Sequence, residues 1–317
     1  MHRGPLVFCI PGYEVFAHEL CWQLDGQPGE VERRLFPDGE HYQRLATDVF
    51  DRDVVLVGGT VTDAATLGVY DLACAMAKYG ARRLSLVMPY FGYSTMERAV
   101  RSGEVVTAKS RARLLSAIPP ATSGNRLLLL DLHSEGIAHY FEGGLTAFHL
   151  DARSALIPAL HRAGGDDFVL GSTDAGRAKR VEALANDLGV DAAFILKRRI
   201  SATETRVTAM NARVEGRTVV IYDDMIRTGG SLLNAARAYR DAGAARLIAC
   251  CTHGVFPGDA YERVSGSGLF ESIIATDSHP RAIQLESAGL SLVPVARLFA
   301  DHLASPGAQP RHRPDDD

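Results

Sequence analysis

Short apolar runs recur along the chain, each closed by charged or glycine-rich residues and each separated from the next by a segment of helical period. They read "DVVLVG", "RLSLVMP", "NRLLLLDLH", "DFVLGS", "TVVIYDD", "RLIACCTHG" and "ESIIATD". Runs this short and this continuously apolar suit strands buried on both faces of a parallel sheet, with helices as the crossovers. One crossover is explicit. Ala178, Val181, Leu184, Ala185 and Leu188 share one helical face, and Gly189 supplies the stop.

Two stretches echo each other. "DVVLVGGTVTDAATLGVYDLACAMAKYGARRLSLVMPYF" parallels "TVVIYDDMIRTGGSLLNAARAYRDAGAARLIACCTHGVF". Val54–Val57 matches Val219–Tyr222, and Gly80-Ala81 matches Gly243-Ala244. Both read strand, turn, helix, glycine stop, strand. The expectation is two similar α/β lobes, 1–148 and 149–304, followed by a tail at 305–317. That tail, "SPGAQPRHRPDDD", is polar and proline-rich, and is expected to be disordered. The second lobe carries Asp223-Asp224 where the first has Gly58-Gly59, so only the second should bind a ligand that needs carboxylates.

A chain of 317 residues with 46% hydrophobic and 23% charged residues can bury a core without metal or disulfide staples. A net charge of -4 shows no basic excess, so no nucleic-acid partner is expected. No apolar run reaches the roughly 18 residues of a membrane span. Cys9, Cys21, Cys74, Cys250 and Cys251 lack zinc or CxxC spacing and read as buried thiols of a reducing compartment. The expected location is the cytoplasm, away from membranes.

The stretch "IYDDMIRTGGSL" (221–232) carries the chemistry. A strand is expected over 219–222, ending at Asp223-Asp224, with a helix starting near Ser231 on the inner stripe Leu232, Ala235, Ala236 and Tyr239. Thr228-Gly229-Gly230-Ser231 is then a turn into a helix start at a strand's carboxyl end, where open α/β sheets bind ligands. Glycines let amides approach a phosphate closely, and Thr228 and Ser231 add hydroxyl donors. The aspartates suit vicinal sugar hydroxyls or, through water, magnesium. Phosphate at one end and a diol at the other describe ribose 5-phosphate.

This stretch resembles the phosphoribosyl-diphosphate motif of type I phosphoribosyltransferases and of ribose-phosphate diphosphokinases. "FPDGE" (36–40), "PYFGY" (89–93), "GEVVTAK" (103–109), "DLHSEGIAHYF" (131–141), "STDAGRAKR" (172–180), "LKRR" (196–199), "THGVF" (252–256) and "TDS" (276–278) follow the order of the diphosphokinase family. The resemblance implies two type I phosphoribosyltransferase-like, Rossmann-like domains with parallel sheets, related by a pseudo-twofold. It implies transfer of the βγ-diphosphoryl group of ATP, or another nucleoside triphosphate, to the 1-hydroxyl of ribose 5-phosphate, a step of nucleotide biosynthesis. By resemblance, Lys197 and Arg199 are catalytic residues on a mobile cover. Asp223, Asp224, Arg227, Thr228, Gly229, Gly230 and Ser231 hold ribose 5-phosphate. Phe36, Asp38, Glu40, Arg98 and His133 contact the nucleotide. His133 and Asp174 serve Mg2+, and a homo-oligomer, dimer or hexamer, is implied.

Two departures stand out. The family's usual Arg-Gln pair after "FGY" is replaced by Thr95-Met96, with Arg98 following, and this resembles the plant second class, which accepts several nucleoside triphosphates. Arg227 stands where many relatives have aspartate; it can clamp the 5′-phosphate, face solvent, or pair with an acid. A different acceptor such as ADP-ribose, a catalytically silent homologue, and a phosphoribosyltransferase remain as alternatives.

Overall fold

The structure is a computed structural model that describes residues 4–174, 176, 178–199, 205–210 and 212–304, with backbone alone at 196–199 and 205–210. The tail, 305–317, lies outside the described residues. The chain forms two compact units: the described residues up to Asp151 together with those from Ala296 onward, and Ala152–Val295.

In the first unit the order is β1 (Leu6–Cys9), α1 (Glu14–Gln23), β2 (Gln27–Pro28), β3 (Val31–Leu35), β4 (His41–Leu45), β5 (Asp53–Val57), α2 (Asp63–Lys78), β6 (Arg83–Met88), α3 (Thr107–Ser116), β7 (Asn125–Leu130) and β8 (Leu145–Leu150). The second unit runs α4 (Arg153–Gly164), β9 (Phe168–Ser172), α5 (Ala178–Leu188), β10 (Asp191–Ala193), β11 (Ile195–Arg199), β12 (Thr205–Met210), β13 (Thr218–Ile226), α6 (Gly230–Asp241), β14 (Arg246–Gly254), α7 (Ala260–Ser265), β15 (Ser272–Thr276), α8 (Pro280–Leu285) and β16 (Ser291–Val293). A last helix, α9 (Ala296–Ala304), follows.

The two main sheets repeat one design. Strand order is β2-β1-β5-β6-β7-β8 in the first and β10-β9-β13-β14-β15-β16 in the second, and every neighbouring pair is parallel. Each lobe also inserts an antiparallel hairpin at the same place in the order: β3–β4 before β5, and β11–β12 before β13. The echo seen in sequence therefore extends to whole lobes. Val54–Val57 and Leu127–Leu130 are buried in the first core, and Val219, Ile221, Leu247 and Ala249 in the second. The expected stripes hold: α5 buries Val181, Leu184, Ala185 and Leu188, and α6 buries Leu232, Ala235, Ala236 and Tyr239.

The C-terminal helix differs from the expected layout, which kept residues to 304 with the second lobe. Helix α9 packs on α1 of the first unit, with the Phe299 ring edge-on to Phe16 at 5.6 Å and His302 against Phe148 at 4.6 Å. In the second unit α4 packs against α5 in the corresponding way. Each lobe thus has a helix against the first helix of its sheet, and the first lobe receives its copy from the far end of the chain. A local apolar pattern cannot show which lobe a terminal helix will choose.

Phe299 is fully buried. Phe299→Ala should cost about 3–5 kcal/mol of first-lobe stability, as large-to-small core changes do. Urea unfolding followed by Trp22 fluorescence, a first-lobe reporter, measures it; a loss below about 1 kcal/mol would mean the helix is not part of that core.

Candidate active site at the strand ends of the second lobe

In the second sheet the order of strand addition reverses between β9 and β13, β10 being added on one side and β14 on the other, which makes a switch point where ligands of open α/β sheets bind. Strand β13 pairs with β9 only over Thr218–Tyr222, but with β14 over Thr218–Ile226. Beyond Tyr222 it is therefore paired on one side only. The acidic pair lies on this one-sided stretch. The expected strand end at residue 222 is corrected to Ile226: aspartate is a poor strand former, but continued pairing of Asp223 with Cys251 and Met225 with His253 overrides it.

The carboxylates are ordered by their surroundings. Asp223 Oδ2 accepts from the Thr173 hydroxyl at 2.8 Å, and its Oδ1 accepts from the Asp224 amide at 2.9 Å. Asp224 is buried and Asp223 half-buried. Thr173 follows β9, so this bond spans the switch point, and the sequence reading did not single it out. Asp174, next along, is half-buried and accepts from the Gly176 amide through Oδ1 at 2.9 Å.

The turn behaves as its glycines require. Gly229 has φ +76, and a Cβ there would meet Val264 Cγ2 at 2.4 Å. Gly230 opens α6 with open space around its Cβ position, the nearest atom being Thr228 Oγ1 at 3.9 Å. No side chain caps α6, so its first amides remain directed outward. The Thr228 carbonyl accepts from Arg263 Nη2 at 3.0 Å. Thr228, Gly230 and Ser231 are exposed. Arg227 is exposed as well and makes no ion pair among the described residues, which disfavours the pairing option for it.

Behind the pair lies a buried polar network built from "THGVF" and "TDS", segments to which the sequence reading gave no role. His253 Nδ1 and Ser278 Oγ are 2.8 Å apart, Thr276 Oγ1 donates to the Thr252 carbonyl at 2.7 Å, and Tyr222 Oη lies 3.0 Å from Thr252 Oγ1. Burial, with His253 beside it, pushes His279 down to about 3, so its imidazole stays neutral and Nδ1 accepts from the Arg281 amide. Burial, then Cys250, pushes the Cys251 thiol well above its usual range, which excludes it as a nucleophile at neutral pH. All five cysteines are free; Cys250 and Cys251 are buried, and Cys9, Cys21 and Cys74 are half-buried rather than fully enclosed as expected.

The remaining candidates fall elsewhere. Lys197 and Arg199 sit on β11, which pairs with β12 through a register shift between Leu196 and Lys197; their side chains lie outside the described residues, as do positions 200–204 of the expected cover. His133, in the first lobe, follows β7 and is half-buried; Asp131 before it takes φ +42, and the Leu132 amide donates to His149 Nε2 at 2.9 Å. Phe36, Asp38 and Glu40 tip the exposed β3–β4 hairpin, where Asp38 Oδ1 accepts from the Glu40 amide at 3.1 Å. Arg98 is exposed beside Glu97, 3.4 Å away. Among the described residues no group of three His, Cys, Asp or Glu side chains gathers in metal-ligand fashion, and no helix is long and apolar enough to cross a membrane.

The first lobe's matching turn is closed by its own residues. Thr62 Oγ1 accepts from the Ala65 amide at 3.1 Å, and Asp63 supplies negative charge to the first turn of α2. A Cβ on Gly59 would meet Tyr13 Oη at 2.1 Å. The start of α2 is thus capped from within, whereas no side-chain cap is made at the start of α6 among the described residues.

Together these features define tandem type I phosphoribosyltransferase-like α/β domains, one with an open phosphate-type turn beside paired carboxylates. Residues 6–118 match the N-terminal domain of ribose phosphate pyrophosphokinase, and residues 172–305 match the phosphoribosyl synthetase-associated domain. A ribose-phosphate pyrophosphokinase of Rhodopirellula baltica is 35% identical over 291 residues, covering 90% of each chain. One from Methanopyrus kandleri is 35% identical over 268 residues, covering 84% of this chain and 89% of the relative. The crystal structure of phosphoribosylpyrophosphate synthetase from Mycobacterium smegmatis superposes with a TM-score of 0.81 at 26% identity, over 94% of this chain and 97% of that one. The chain belongs to the ribose-phosphate pyrophosphokinase family.

The two glycines of the turn should respond oppositely to alanine. Gly229→Ala combines a left-handed φ with a clash and should destabilise by more than about 2 kcal/mol. Gly230→Ala should be neutral or stabilise by up to about 1 kcal/mol, because it sits in open space at a helix start. Paired urea midpoints test this; equal losses would contradict the geometry.

Proposed function

We propose that the chain is a ribose-phosphate diphosphokinase: it joins the 1-hydroxyl oxygen of ribose 5-phosphate to the β-phosphorus of a nucleoside triphosphate. The bond from that phosphorus to the αβ-bridging oxygen breaks, the nucleoside monophosphate leaves with that oxygen, and the hydroxyl proton passes to solvent. The observation that carries this reading is the acidic pair on the one-sided end of β13, followed by the uncapped start of α6. The outward amides of α6, with Thr228 and Ser231, hold the 5-phosphate. Asp223 and Asp224 accept from the ring hydroxyls and fix the sugar, which converts a collision of two anions into an oriented displacement.

Charge is the difficulty of this reaction, since triphosphate and sugar phosphate repel each other. Lys197 and Arg199 are assigned to offset the charge that develops on the transferred group. Phe36, Asp38, Glu40, Arg98 and His133 are assigned to the nucleotide. Magnesium takes few protein ligands and keeps waters and phosphate oxygens. The half-buried imidazole of His133 and the carboxylate of Asp174, which leaves Oδ2 available beside its bond to Gly176, fit such sparse duty. Bound to the triphosphate, the ion supplies charge neutralisation. Assembly into a homo-oligomer and residence in the cytoplasm belong to the same reading.

The exposed Thr95 and Met96 present a methyl-bearing hydroxyl and a soft thioether where relatives of the usual class carry Arg-Gln. Undirected contact of this kind favours relaxed base selection. Purified protein with magnesium, ribose 5-phosphate and each of ATP, GTP, CTP and UTP should give equal amounts of monophosphate and phosphoribosyl diphosphate. A preference for ATP above about a hundredfold would contradict relaxed selection. Product only with ADP-ribose would replace the acceptor, and no product under any condition would leave a silent homologue.

Arg227, exposed on the phosphate turn, is assigned to clamp the 5-phosphate. Arg227→Ala should raise KM for ribose 5-phosphate about tenfold while KM for the nucleotide stays within about twofold, the pattern of lost binding to one substrate. Equal effects on both constants would send the side chain to solvent instead.

A further inference from the structure

Segment 93–98 carries Thr95, Met96 and Arg98, all exposed, yet its backbone is fastened at both ends. Tyr93 takes φ +62, a left-handed conformation that costs a bulky residue about 1–3 kcal/mol and persists only where neighbours impose it. Its hydroxyl donates to Asp63 Oδ1 at 2.7 Å. Arg111 Nη2 donates to the same oxygen at 2.6 Å, and the guanidinium lies over the Tyr93 ring, 5.0 Å from its centroid. These hydrogen bonds, from Tyr93 and then from Arg111, hold the Asp63 carboxyl below its usual range.

The neighbouring anchors complete the frame. The Gly92 amide donates to Thr60 Oγ1 at 2.6 Å, and a Cβ on Gly92 would lie 2.1 Å from the Thr60 carbonyl oxygen. At the far end Tyr140 Oη donates to the Glu97 carbonyl at 2.6 Å, with Lys109 Nζ 5.6 Å from the Tyr140 ring centroid. Fixed backbone with outward side chains is what a binding segment needs, since a rotamer or hinge free to wander forfeits orientation. A surface ion pair alone does little. The Arg111 side chain, however, is only 25% exposed, and it joins α3 to both the start of α2 and the Tyr93 ring.

We infer that Arg111 is a positioning residue: through Asp63 and Tyr93 it holds segment 94–98 in the conformation that receives the nucleoside triphosphate. This rests on the diphosphokinase reading, which assigns Arg98 to the nucleotide. A role in stability alone would lower the melting temperature of variants without separating the two substrates.

The test is calorimetric binding of a non-hydrolysable magnesium–ATP analogue and, separately, of ribose 5-phosphate, to wild type, Arg111→Ala, Arg111→Lys and Tyr93→Phe. Arg111→Ala should weaken the nucleotide about tenfold, the range for losing a charge-assisted contact, and leave the sugar phosphate within about twofold. Arg111→Lys, which keeps charge but not the planar ring contact, should fall between it and wild type. Tyr93→Phe, the mildest change, should weaken the nucleotide alone if Arg111→Ala does not fold. Asp63→Asn combined with Arg111→Ala should be no worse than Arg111→Ala, because members of one network are not additive. Unchanged nucleotide binding, or equal loss of both ligands, overturns the inference. A wild type that binds the nucleotide but forms no product sinks the reaction while the dissociation constants still judge the clamp; one that binds no nucleotide overturns both.

Discussion

One feature of backbone pairing governs the second lobe: β13 outruns β9. Up to Tyr222 the strand has neighbours on both sides, and its residues are core. From Asp223 to Ile226 it keeps only β14, with Asp223 half-buried and Asp224 buried. That is how two acids can sit on a strand and remain rigid. The Thr173 hydroxyl bonds Asp223 across the switch point, and Thr252, Ser278 and His253 bond one another on and beside the partner strand β14. Burial raises the neighbouring Cys251 thiol and lowers His279 to about 3.

The two lobes finish one topology in different ways. Both place a turn and a helix after the third strand of the same sheet order. In the first, Thr62 caps the helix, and Asp63 provides the negative charge that a helix start attracts. In the second, Gly229 takes a left-handed turn so close to Val264 that a Cβ would clash, and among the described residues no side chain caps α6. A helix start left uncapped is tolerable where water or a phosphate completes it. Asp63 accepts hydrogen bonds from Tyr93 and Arg111.

Much of this was legible because it depends on local pattern. Buried parallel strands are continuous apolar runs, so Val54–Val57 and Val219–Tyr222 were readable, as were the stripes of α5 and α6. The turn was readable because few residue combinations can expose helix amides to an anion. What was hidden depends on distant partners. The extent of β13 past Tyr222 follows from pairing with β14, which no property of Asp223 or Asp224 announces. The β3–β4 hairpin showed only its "PDG" turn, because its strands are short, charged and exposed. Helix α9 was placed with the second lobe because nothing local announces its destination. Thr173 and Arg111 are ordinary in sequence, and their roles come from residues 50 and 48 positions away.

The central claim is that the start of α6, and not that of α2, receives a phosphate monoester. Amide chemical shifts of isotopically labelled protein, titrated with ribose 5-phosphate, test it most directly. The account predicts saturable shifts at Gly229, Gly230, Ser231 and Leu232, with Thr62 to Ala65 unmoved. Shifts centred on Thr62 to Ala65, or none at the α6 start at saturating ligand, would contradict it.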